Sequence, residues 1–121
     1  MTSVERRVTQ VLGVWAAGSV AVGAVLASDP TRRAFARQTA LWGLVDGVIV
    51  LWGVRARSVR GPTAPERLRR VLLVNAGLDV GYLAAGAVLV RRTRWRGDGW
   101  AVLVQGAFLL ALDGAAARSL R

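Results

Sequence analysis

Four long apolar runs, roughly residues 8 to 27, 36 to 54, 71 to 90 and 99 to 117, alternate with short segments rich in arginine, glycine and proline. Each run approaches the ~20 residues that a helix needs to cross about 30 Å of hydrocarbon. Together they occupy most of the chain and leave only short connections. The pattern therefore predicts an all-α fold, a four-helix transmembrane bundle forming one domain over residues 1–121, with helices at about 5–27, 30–55, 65–91 and 99–117.

Local signals mark the ends of these runs. Thr2 and Glu5 have the spacing of a capping box at the start of the first helix. Val25-Leu26-Ala27 resembles a processing site, but the apolar run before it is longer than that of a cleaved signal. Asp29-Pro30 has the form of an N-cap followed by a first-turn proline, which starts the second helix. The segment from Arg55 to Pro65 carries Gly61 and Pro62 and is the expected linker, closed by a second capping box at Thr63-Ala64-Pro65-Glu66. Gly97-Asp98-Gly99 predicts a turn ahead of the fourth helix, and Trp52, Trp95 and Trp100 are placed as interface anchors.

Within the apolar runs the polar residues are periodic. Gln38, Trp42 and Asp46 follow one another at four-residue steps on the second helix; Asn75, Asp79 and Tyr82 do so at steps of four and three on the third. Gln105 and Asp113 lie eight apart on the fourth, and Trp15 with Ser19 make a weaker equivalent on the first. Every helix thus has a partly polar face for a common axis. A carboxylate at the bilayer centre facing lipid would cost at least ~2.5 kcal/mol, so Asp46 and Asp79 are expected to face inward as acids bonded to Asn75, Gln105 or Tyr82. This interior either forms a polar site for a ligand or a proton, or locks the helices together. Gly43 with Gly47, and Gly77 with Gly81, have the spacing that lets helices approach closely, within the chain or in a homodimer.

Composition narrows the chemistry. The hydrophobic share is 54%, and the formal charge is +10 with all 17 basic residues arginine. Such a charge would suit nucleic acid, but the arginines cluster at the ends of the apolar runs (Arg6 and Arg7, Arg32 and Arg33, Arg69 and Arg70, Arg91 and Arg92), where they meet anionic headgroups. The expected partner is therefore a lipid bilayer with anionic headgroups and no nucleic acid. Cysteine and histidine are absent. Thiol chemistry, imidazole bases and histidine-ligated haem are excluded, and no cofactor, metal site or catalytic residue is expected. The side holding both termini and residues 55–70 is richer in arginine than the side holding 32–37 and 91–96, which favours cytoplasmic termini in a bacterial inner membrane. Val11-Leu12-Gly13-Val14 resembles Val71-Leu72-Leu73-Val74, a faint sign of a repeated hairpin.

Two resemblances to known families bear on function. Asp113-Gly114 with Ala117-Arg118 looks like the opening of the metal signature of CDP-alcohol phosphotransferases, but Leu110 stands where that signature needs another aspartate. Over nearly its whole length the chain instead resembles an uncharacterised family of small bacterial four-helix membrane proteins, a domain of unknown function. The resemblance rests on Trp15, on Gln38, Trp42 and Asp46, on Asn75-Ala76-Gly77-Leu78-Asp79-Val80-Gly81-Tyr82, and on Gln105-Gly106-Ala107-Phe108-Leu109 with Asp113. It implies a fold and no activity. The residues themselves lead to a non-enzymatic membrane protein whose interior binds a small or amphipathic ligand or stabilises an assembly. A proton-coupled transporter or channel and an accessory subunit of a larger membrane complex are the alternatives.

Overall fold

Thr2 opens the first helix by accepting the backbone N–H of Glu5 at 3.2 Å. The computed structural model describes residues 2–120, and its helices are α1 (Ser3–Leu26), α2 (Arg33–Arg60), α3 (Pro65–Val90) and α4 (Arg96–Arg118). Each of the four is long and apolar enough to cross a membrane. A single turn of 3-10 helix precedes α2 (Pro30–Arg32) and another precedes α4 (Thr93–Trp95), so the two halves of the chain share one construction. Asp29 caps the first of these turns by accepting the backbone N–H of Thr31 at 3.0 Å.

Several boundaries differ from the sequence expectation, each for a physical reason. Helix α2 runs to Arg60, five residues beyond its expected end, because nothing breaks it before Gly61 turns the chain at φ +81°. The linker is therefore only residues 61–64. Thr63 does not cap α3; Ala64 holds the cap position without a side-chain bond, and the Thr63 backbone N–H is used elsewhere. Gly97-Asp98-Gly99 is not a turn but the first turn of α4 itself. Its glycines serve close packing: a Cβ on Gly99 would lie 2.8 Å from the Leu89 carbonyl carbon.

The helices alternate in direction. α1 packs along α2 and α3 along α4, and the two hairpins join mainly through α2 and α4, with α1 and α4 meeting at only a few points. The hairpin seams are tight because small residues line them. A Cβ on Gly43 would lie 2.8 Å from the Ala16 carbonyl oxygen. Gly47, Gly77 and Gly81, expected as packing glycines, have open space where a Cβ would stand, so they take no part in these seams.

The distribution of side chains is inverted relative to a protein packed in water. The buried apolar residues are mostly alanines, joined by Leu68 and Leu72 near the termini. The large ones, including Val14, Leu51, Trp52 and Val59, point outward. Buried in their place, among the described residues, are eight polar ones: Glu5, Ser19, Thr39, Asp46, Asp79, Asp98, Gln105 and Asp113.

Candidate functional site

The buried polar residues fall into separate groups along the bundle, not into one stripe. Midway along α2 and α3, Asp46 and Asp79 are 2% and 3% exposed and face one another electrostatically. Asp113 of α4, also buried, lies close enough to Asp79 and Asp46 for their charges to act on one another. Three helices thus bring three buried carboxyl groups into one another's neighbourhood. The Oδ2 atoms of Asp46 and Asp79 have no hydrogen-bond partner. No arginine pairs with any of the three among the described residues. Nor does any set of three or more ligating side chains there have the arrangement to hold a metal ion.

Asn75, Gln105 and Tyr82 do not supply the bonds expected of them. Gln105, 1% exposed, belongs to a second group that faces α1: it accepts the Trp15 indole N–H at 2.8 Å and donates its Nε2 to Ser19 Oγ at 3.1 Å. Helical geometry explains the split, since residues eight apart at 100° per residue are offset by about 80° around the axis. Asp113 therefore points toward α3 while Gln105 points toward α1. Tyr82 meets Trp42 edge-on, ring centres 5.1 Å apart, so these two form an aromatic pair between α2 and α3. Gln38 and Asn75 are half-buried and make no side-chain hydrogen bond among the described residues.

Beside Gln105 the bundle is open. Because α1 and α4 touch at few points, a groove of about 680 Å³ lies between them, backed by Phe35 and Thr39 of α2. Trp15 stacks on Phe108 at one side of it, centroids 3.9 Å apart and planes 5° from parallel. Gln105, Ser19 and Thr39 supply polar groups at its base, while Val11, Val14, Val22 and Val104 form its exposed rim. These rim residues lie along the length of α1 and midway along α4, so the groove opens sideways. Gly18 lines it too, with empty space where a Cβ would point.

Two further buried acids lie near the ends of the bundle and escaped the sequence reading. Glu5, expected to complete a capping box, is instead 1% exposed and forms an ion pair with Arg57 of α2. Its other oxygen accepts the Thr63 backbone N–H at 2.8 Å, tying α1 to the α2–α3 connection. At the opposite end Asp98, in the first turn of α4, lies 3.6 Å from Arg37. A carboxylate in a helix's first turn already satisfies the capping and dipole rules, and no local signal distinguishes that use from a buried ion pair.

Known proteins add one match to this picture. A family of unknown function, DUF6992, matches residues 11–114, a span that contains the aspartate cluster and the Trp15–Gln105–Ser19 group. No curated protein and no solved structure matches the chain.

Proposed function

The chain belongs to this family of unknown function, and we propose that it is a multi-pass protein of the bacterial cytoplasmic membrane that binds an amphipathic small molecule sideways from the bilayer, without enzymatic activity. The outward-facing valines, leucines and tryptophans support the membrane setting, since in water that surface would remain unburied. The arginine bias supports cytoplasmic termini. The observation that carries the binding reading is the groove between α1 and α4, whose about 680 Å³ falls within the range of small-molecule sites. Its apolar rim suits the body of a ligand, and the hydroxyls of Ser19 and Thr39 suit a small polar end.

Native mass spectrometry of the protein in a mild detergent tests this. A reproducible retained mass is expected in the wild type and absent from Gly18→Phe, whose Cβ stands in open space and whose ring is added to the groove. The melting temperature of that variant should stay within about 2 °C of the wild type's, because nothing lies within 4 Å of the added Cβ. A clean protein mass in the wild type, or a mass retained by Gly18→Phe, would sink the groove as a binding site.

The aspartate cluster favours a second reading, proton-coupled transport. Three buried carboxyl groups from three helices, with no arginine paired to them among the described residues, are the kind of group that carries protons through a membrane. Flux of protons into liposomes that is lost in Asp79→Asn, with folding intact, would support this reading over simple binding.

A further inference from the structure

At the end of the bundle that holds the termini, the last turns of α2 and the first turns of α3 enclose a cleft of about 510 Å³. Arg57 and Arg60 line it from α2 and Arg67 from α3; Trp52, Leu68 and Val71 continue its walls as an apolar surface. Among the described residues no carboxylate lines it, Glu5 lying behind Arg57 and Thr63. Of the three arginines, Arg57 is held by Glu5 through its Nε, and its guanidinium folds back over Gly53, where any Cβ would strike Nη1 at 2.6 Å. Arg57 is thereby fixed in place with its fork against the cleft. Arg60 and Arg67 are exposed and make no ion pair among the described residues. An excess of positive charge therefore converges on a concave site directly above apolar side chains.

We propose that this cleft binds the phosphate headgroup of an anionic phospholipid, with an acyl chain lying along the exposed Val71 and Trp52. Guanidinium groups suit phosphate oxygens because their planar fork can donate two parallel hydrogen bonds. Both a free phosphate and a lipid headgroup offer that chemistry. The apolar walls assign the site to the lipid, since a free phosphate has nothing to place against them.

The inference rests on the membrane setting proposed above, and its test keeps the two apart. The detergent-purified protein is titrated with phosphatidylglycerol, phosphatidylcholine and inorganic phosphate, and bound species are counted by native mass spectrometry. One phosphatidylglycerol is expected to bind at least about tenfold more tightly than phosphatidylcholine. Arg60→Gln with Arg67→Gln should lose that preference, while Arg91→Gln with Arg94→Gln, which removes the same charge at the opposite end, should keep it. Equal weakening in both double variants would reduce the effect to bulk charge and overturn the site, as would the absence of any preference in the wild type. Inorganic phosphate that displaces the lipid at equal concentration would overturn the lipid assignment. A chain that stays in solution without detergent would refute the membrane setting; one that needs detergent but shows no lipid preference refutes this inference alone.

Discussion

Glu5 and the Asp46–Asp79–Asp113 cluster are equally hidden from solvent, yet their surroundings are opposite. Glu5 has a guanidinium and a backbone amide against its two oxygens, so the cost of burying its charge is offset at the site itself. The three aspartates have no cation beside them among the described residues, and two of their oxygens have neither a hydrogen bond nor an ion pair. A compensated buried acid ties elements together. An uncompensated one is retained against its cost, which is why the cluster and not the ion pair is a candidate for chemistry.

The largest effect that would sharpen this contrast is expected from Arg57→Ala. Removing the cation leaves Glu5 buried and unpaired, a loss of about 3 kcal/mol or more. Unfolding in detergent by added dodecyl sulfate measures it, and Glu5→Gln introduced alongside should recover much of the loss. Asp79→Asn is the matching change in the cluster. Its amide keeps the size of the carboxyl and no cation is orphaned, so stability should move by less than about 1 kcal/mol. Should Asp79→Asn prove as damaging as Arg57→Ala, the cluster is structural cement and the contrast collapses.

Asp29 provides the smallest effect and the exposed reference. Its side-chain and backbone hydrogen bonds from Thr31, with Arg32 beside it, hold its carboxyl below the usual carboxylate range. A lowered value means that whatever stability these bonds contribute is present at neutral pH and lost only as the pH falls through that lowered midpoint. Because Asp29 is solvated, Asp29→Asn should leave the unfolding curve unchanged. An NMR titration of the Asp29 carboxyl checks the direction; a midpoint at or above that of an ordinary aspartate contradicts the capping geometry.

How much of this could be read from the chain varied with the range of the interaction. Helix number and type followed from the length of the apolar runs, which is a local property. The Asp29 cap was readable for the same reason. The end of α2 was missed because the expectation stopped at the first arginine of a run that is helical through Arg60. The polar residues of the interior were found by periodicity, but their partners were not. The 80° offset between Gln105 and Asp113 decides whether one polar face or two exists, and only the rotation of α4 against its neighbours shows which helix each meets. Gly43 and Gly47, like Gly77 and Gly81, have the spacing of a packing motif, yet of the four only Gly43 sits in a seam, while Gly99 sits in one that no motif singles out.

The chain's own order of residues determined that four helices form, that each is apolar enough to cross a membrane, and that acids lie midway along α2 and α3, because helix formation and hydropathy depend on neighbours a few residues away. The fold decided which acid is paired, since Glu5 meets Arg57 only when α1 and α2 lie antiparallel. It also decided that α1 and α4 stand apart and leave a groove. Contacts between residues 50 to 90 positions apart depend on how helices are rotated and spaced, and in a bundle whose apolar core is a small cluster near the termini, small residues and a few buried hydrogen bonds help to impose that arrangement.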